Sequence, residues 1–246
     1  MVAGERLHNF TRIWDCDARS KNLAGGHRIM LSPSRNEDSE NAHRFYGLVA
    51  TENERTHSEI EMNTTGVLTH RESLGYWLND RGLLGAGVEV GSAFGQFAGR
   101  ILSTWKGKEL YMVDPWEKQS ESAYMEHTNN TAPFDQWYQQ CLQLSRQDDR
   151  VMLMKRLSVD AAKMFKDAQL DFVYIDGNHD YGHVMEDLDA WWPKVKLGGL
   201  VGGHDCYDND RDGACCAVWS ALKRWTTEHN VVFSVTPCTS FWMIKA

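Results

Sequence analysis

The segment Gly87-Val88-Glu89-Val90-Gly91-Ser92-Ala93-Phe94-Gly95 constrains this chain more than any other. Its apolar run around one acid predicts a buried strand over 86–90, and Gly91 then breaks the run into a turn that opens a helix. A second run, Leu110-Tyr111-Met112-Val113, ends in Asp114, twenty-five positions after Glu89. Strand, glycine turn, helix, strand and acid in this order read as the nucleoside-binding half of an open α/β sheet. Asp114 is then placed to grip a ribose. In such a sheet a ligand sits at the carboxyl ends of the strands.

The remaining pattern extends this sheet. Thr69 and Glu72 have capping-box spacing, and Leu74, Trp77 and Leu78 share one face of a helix that stops near Gly82. Beyond Gly91, the spacing of Phe94, Phe97, Ala98, Ile101 and Leu102 gives the next helix an apolar stripe. Further strands are predicted at about 109–113, 151–154, 170–175, 200–203, 230–235 and 240–245. Helices are predicted over 134–144, from near Asp160 to Phe165, over 183–192 and at about 214–228. Pro115 to Asn130 is polar, and the stretch 117–133 reads as a lid. The expected fold is therefore α/β and Rossmann-like: a mostly parallel seven-stranded sheet with helices on both faces, closed by an antiparallel terminal hairpin at its edge. Residues 1–68 show no lasting period and read as an arm or short helices; residues 69–246 carry the domain.

Bulk properties narrow the function classes. A chain of 246 residues with a 42% apolar and 24% charged share suits one large globular domain. A net charge of -8 argues against non-specific nucleic-acid binding. No apolar stretch reaches the length of a membrane span, and Met1 to Asp15 lacks the apolar core of a signal peptide. Cys16, Cys141, Cys206, Cys215, Cys216 and Cys238 do not form a dense disulfide framework, so reduced thiols in a cytoplasmic protein are expected. The ten tryptophans and the unassigned arm leave room for a homo-oligomer.

In the glycine turn, Gly91 removes the Cβ penalty, and Gly95 permits close approach of the helix to ligand or sheet. Exposed amides at the helix start suit an electronegative group. The spacing is Gly-x-x-x-Gly, which weakens a pyrophosphate reading, and no Gly-Lys-Ser/Thr supports a P-loop. Glu89 is expected to orient backbone amides or the cationic end of a ligand. Asp114, an acceptor when ionised, suits two ribose hydroxyls. Either acid alone would serve equally as a cap on a sheet end; their placement at successive strand ends favours a ligand.

With Val113-Asp114-Pro115-Trp116, Tyr174-Ile175-Asp176-Gly177-Asn178-His179 and Gly202-Gly203-His204-Asp205, the turn resembles the class I S-adenosylmethionine (SAM)-dependent methyltransferases. The nearest likeness is to small-molecule and sugar O-methyltransferases such as the macrocin, mycinamicin and cephalosporin-biosynthesis enzymes, and it spans roughly 69–246. The resemblance implies that Glu89, Gly91 and Ser92 surround the methionine part of SAM, that Asp114 holds the ribose and that Leu157 and Ser158 border the adenine. Asp176 would lie near the transferred methyl, and Trp116 would wall the pocket or simply pack its loop.

Asp176 and Asp205 end the fourth and fifth strands, so both carboxylates are expected to face one pocket, where hard oxygens suit Mg²⁺. In the metal-dependent branch an acidic pair follows strand five; here the pair is His204-Asp205, a departure that leaves Mn²⁺, another metal or none open. The expected metal set is Asp176, Asp205 and His204. His179 matches the histidine of the family's Asp-Gly-x-His motif, used as general base, with Asp180 or His183 as assistants. The expected acceptor is a hydroxylated small molecule, with a sugar or glycoside in view. Rival readings are an NAD-dependent oxidoreductase and a non-catalytic nucleoside-binding protein. A zinc site at His204, Cys206, Cys215 and Cys216 is disfavoured because no Cys-x-x-Cys pair exists.

Overall fold

A computed structural model describes residues 68–119, 133–207 and 217–246. A 3₁₀ turn, Arg71–Ser73, leads into α1 (Leu74–Asp80). There follow β1 (Ala86–Val90), α2 (Gln96–Thr104), β2 (Glu109–Asp114), α3 (Phe134–Gln147) and β3 (Val151–Lys155). Next come α4 (Ser158–Ala162), β4 (Leu170–Ile175), α5 (Tyr181–Trp191), β5 (Val195–Gly203), α6 (Val218–His229), β6 (Ser234–Val235) and β7 (Phe241–Ile244). The strands form one seven-stranded sheet in the order β3-β2-β1-β4-β5-β7-β6. The first five are parallel, and β7 is antiparallel to both β5 and β6. The strand order reverses between β1 and β4, and the strand ends there create a crevice.

Period-2 alternation decides which face each strand residue serves. Val88, Val90, Val173, Ile175 and Val201 pack under Leu188, Trp191, Leu222 and Trp225 of α5 and α6. Leu110, Met112, Phe172 and Tyr174 pack under Leu74, Leu78, Ile101 and Leu102 of α1 and α2. β4 is buried at every position, as its near-continuous apolar run predicts. The one acid inside it, Asp171, is only 1% exposed. It is compensated by the Lys196 ammonium and the Gly85 amide.

Several boundaries differ from the sequence reading. The 3₁₀ turn is capped by His70, whose Nδ1 accepts from the Glu72 amide at 3.2 Å, rather than by Thr69. β5 begins at Val195 instead of 200, because pairing with Leu170 draws in a polar, glycine-containing stretch. The terminal strands do pair, but β7 inserts between β5 and β6, so only β6 forms the edge. α4 ends at Ala162, short of Phe165, and the last helix starts at Val218. The arm before Leu68 and most of the expected lid (120–132) lie outside the described residues. No helix among the described residues is long and apolar enough to cross a membrane. Cys141 and Cys206 are buried, Cys206 in the core beneath the β5 end, and Cys238 Sγ lies 3.0 Å from His70 Nε2; Cys215 and Cys216 fall outside the described residues.

Gly91 joins three strand ends. Its φ is +81°, its amide donates to the Val113 carbonyl at 2.8 Å, and a Cβ there would collide with the Asp176 carbonyl. Gly91→Ala is therefore expected to destabilise the fold by about 2 kcal/mol or more, through positive φ and steric overlap together. Differential scanning calorimetry should show Tm falling by roughly 4–8 °C; an unchanged Tm would contradict this packing.

Candidate active site

The turn 91–95 is held by the next strand's acid. Asp114 Oδ2 accepts from the Ala93 amide at 2.9 Å, and Oδ1 accepts from the Trp116 amide at 2.7 Å. The amide that seemed free for a ligand is thus taken by Asp114 itself. Each carboxylate oxygen has a further lone pair, and the side chain lines a cavity of about 280 Å³. Burial pushes the Asp114 carboxyl up, opposed by these two backbone bonds.

The cavity runs over the ends of β1 and β2, along Gly91, Asp114, Arg156, Leu157 and Ser158, to Asp187 on α5. Ser158 Oγ accepts from the Trp191 indole at 2.8 Å, which fixes the start of α4. Asp187 is 4% exposed, and burial pushes its carboxyl up to about 6. Of the residues expected to bind a ligand, Gly91, Asp114, Leu157 and Ser158 line this cavity. Glu89 and Ser92 lie buried behind the turn. Gly95 is the left-handed cap of α2, and a Cβ there would face Met112 and Cys141 rather than the cavity. Trp116 is buried, donates from Nε1 to the Ala93 carbonyl at 2.6 Å and packs on Tyr138, which places it beneath the turn.

Glu89 is 3% exposed, and its Oε2 has no hydrogen-bond partner among the described residues. Burial pushes its carboxyl from the ordinary 4.5 to about 8, opposed by Ser92 and reinforced by the charges of Asp176 and Asp114. An orphaned buried carboxylate at a strand end fits a ligand that brings a cation. The folded state therefore holds a proton that the unfolded chain releases near 4.5. Stability is fullest below that value, falls as pH rises towards about 8, and levels off above it. Glu89→Gln should abolish this slope in the ligand-free protein. It should match the wild type in Tm at acid pH and exceed it by several degrees at alkaline pH, a gain of roughly a few kcal/mol. Superimposable Tm–pH curves for the two proteins would refute the assignment.

Beside the cavity, the ends of β4 and β5 bring together Asp176, His179 and Asp205, one ligand atom of each lying within 4.8 Å of the others. His179 Nε2 is 3.4 Å from Asp176 Oδ1 and 3.5 Å from Asp205 Oδ2. Burial lowers its basicity, but the hydrogen bond and charge of Asp176, with Asp205, outweigh that and raise its pKa. Burial likewise works against the charge of Asp205, yet His204 and His179 hold it well below the usual carboxylate range. His204 Nδ1 is 3.2 Å from Asp205 Oδ1 and 4.0 Å from Asp176 Oδ1. Asp205 has a left-handed backbone, φ +53°, a strained setting at a site end. Two carboxylates with one or two imidazoles fit a divalent cation, and the nitrogen content suits Mn²⁺, Fe²⁺ or Zn²⁺ better than Mg²⁺.

Sequence reasoning missed Arg71, Arg156 and Asp187. Asp187 follows His183 by one helical turn and so carried a periodic signal; Arg71 carried none, because its position depends on how the 3₁₀ turn lies on the sheet. Arg71 NH1 is 3.8 Å from Asp176 Oδ2, and its guanidinium stands 5.2 Å from the Phe97 ring centroid.

Comparison with known proteins agrees with this fold. Residues 88–206 match the family described as "Methyltransferase domain". The fold is similar to that of NovP, an O-methyltransferase, at 14% identity and TM-score 0.51, over 72% of this chain and 78% of that one. It is also similar to a Corynebacterium glutamicum protein at 16% identity and TM-score 0.50, over 65% and 71% of the two chains. No curated protein sequence matches significantly. Sheet and domain match together make the protein an enzyme that carries a methyltransferase domain over residues 88–206. This class replaces the oxidoreductase and non-catalytic readings.

Proposed function

We propose that the protein transfers the methyl group of SAM to a hydroxyl of a small molecule, and that a sugar or glycoside is the first acceptor class to test. The reading is carried by one observation: the His179 imidazole sits between Asp176 and Asp205 at the strand ends beside the cavity. The name of NovP points the same way, although that likeness lies in the fold alone. A small acceptor suits the acidic chain better than nucleic acid does.

The chain's part in the reaction follows from this geometry. Asp114 takes the ribose hydroxyls, and Leu157 and Ser158 border the base. Asp176 and Asp205 orient the acceptor oxygen towards the methyl carbon. His179 takes the hydroxyl proton at Nε2 as the oxygen–carbon bond forms and the carbon–sulfur bond breaks. A divalent cation held by Asp176, Asp205 and His204 would supply Lewis-acid polarisation of the hydroxyl and balance the carboxylate charge. If the cation were held through Asp176, Asp205 and His204, His179 Nε2 would keep its role as the base.

Incubation with labelled SAM and a panel of hydroxylated metabolites, followed by product analysis, should give an O-methylated product. Label on nitrogen or carbon, or none on any acceptor, would contradict the reading. Chelator should reduce turnover by at least about 10-fold, with Mn²⁺ restoring it more fully than Mg²⁺. Full activity in chelator would remove the metal.

A further inference from the structure

We propose that the protein has a second ligand site, for an aromatic carboxylate, in a cavity of about 690 Å³ where the end of α1 meets the β5-β7-β6 side of the sheet. The inference does not rest on the donor reading, since no described residue lines both this cavity and the one that Asp114 lines. The two also lie towards different ends of β5. Trp192, which lines the second cavity, precedes the first residue of that strand, whereas Asp205 follows its last.

Strand register sets the floor of this cavity. Leu200 pairs with Ile244 and Gly202 with Trp242 across β5 and β7, and Ser234 of β6 pairs with the same Trp242. Direct partners in antiparallel strands turn their side chains to one face, here the face that packs under Trp77 of α1. Trp242 is only 4% exposed, and its Nε1 has no hydrogen-bond partner among the described residues. Its Cε3 and Cζ3 atoms lie against Gly202, so Nε1, on the opposite edge of the indole, is turned away from β5. A buried indole N–H ordinarily finds an acceptor, and an orphaned one beside a cavity points to an acceptor that a ligand brings. The half-buried Ser234 hydroxyl offers a second donor on the same face.

Side-chain charge around the cavity has one sign. Lys245 Nζ donates to the Trp192 and Val195 carbonyls at 2.8 and 2.9 Å, so it supplies a fixed positive charge. The Arg81 guanidinium lies over the Trp77 ring, 3.8 Å from its centroid. No acidic side chain among the described residues lines the cavity, although the whole chain carries a net charge of -8. Trp77, Trp192 and Trp242 give it broad apolar walls, which suit a flat aromatic body. A neutral hydrocarbon would leave the Trp242 N–H unpaired, and a small inorganic anion would leave the tryptophan walls uncovered. An aromatic carboxylate answers both: its oxygens accept from Trp242 Nε1 and Ser234 Oγ, and Arg81 and Lys245 balance its charge.

Isothermal titration calorimetry on the full chain tests the site with two probes, 2-naphthoate and its uncharged counterpart 2-naphthamide. The wild type should bind 2-naphthoate about 10-fold or more tighter than the amide, the worth of a charged over a neutral acceptor. Trp242→Phe keeps an aromatic ring but removes the N–H, and should cut this preference to within about threefold. Because Trp242 also packs on Tyr174, Arg81→Gln at the exposed rim tests the site without touching that contact. It should weaken 2-naphthoate by about 2–5-fold and leave the amide within about twofold of wild type. Equal wild-type affinity for acid and amide would overturn the carboxylate assignment. Unchanged 2-naphthoate affinity in both variants, or its displacement by S-adenosylhomocysteine, would put the probe elsewhere and overturn the site. So would the absence of binding in the millimolar range, the result expected if a second copy of the chain covers the cavity.

Discussion

His179→Ala is expected to lower turnover by about 10²–10⁴-fold, the range for loss of a positioned general base, while S-adenosylhomocysteine binds within about twofold of wild type. The split follows from where the residue stands. His179 contacts Asp176 and Asp205 but is not among the residues lining the donor cavity. Its removal leaves two facing carboxylates with less compensating charge, so donor affinity is to be measured with Mn²⁺ present, where their repulsion is relieved. His204→Ala provides the contrast. It should weaken metal dependence and lower turnover less, because His204 lies against Asp205 and farther from Asp176. Steady-state kinetics on both variants decides the matter; equal turnover in His179→Ala and wild type would remove the base.

Asp114→Ala should weaken S-adenosylhomocysteine binding by about 100-fold or more. Two charged hydrogen bonds to ribose hydroxyls are worth on the order of 3 kcal/mol together at the low end of their range. Part of the effect is indirect. Without the carboxylate, the Ala93 and Trp116 amides lose their acceptors at 2.9 and 2.7 Å, and the turn that shapes the cavity loosens. A ligand without ribose hydroxyls separates the two contributions. Dideoxy S-adenosylhomocysteine should bind wild type and variant with nearly equal affinity if direct contact dominates. Calorimetry showing an unchanged dissociation constant for S-adenosylhomocysteine in Asp114→Ala would refute the ribose assignment.

Much of the fold was legible because its central strands are buried on both faces. β1 and β4 are apolar runs each carrying one acid, and their ends fall where predicted, at Val90 and Ile175. The helix after the turn was legible from its stripe: Ala98, Ile101 and Leu102 are buried. Non-local pairing hid the rest. Lys196 to Gly199 looks like a loop and joins β5 only because Val195 pairs with Leu170. β7 lies beside β5 because Phe241 and Met243 fill one core and Trp242 the other, a fit between faces that alternation permits but does not specify. At the site, acids at strand ends were readable from spacing. The capture of the Ala93 amide by Asp114 was not, since it depends on the shape of the Gly91–Gly95 bend. Arg71 and Asp187 arrive from a 3₁₀ turn and a helix face, whose positions are fixed by packing against the sheet.

The central claim is that one methyl donor lies across the ends of β1 and β2, and a crystal structure with S-adenosylhomocysteine tests it most directly. Density should run from Ser158 past Asp114 to the Glu89 side of the Gly91 turn, with both ribose hydroxyls within hydrogen-bonding distance of Asp114. Density elsewhere on the molecule, or a nucleoside turned so that its ribose faces away from Asp114, would contradict it.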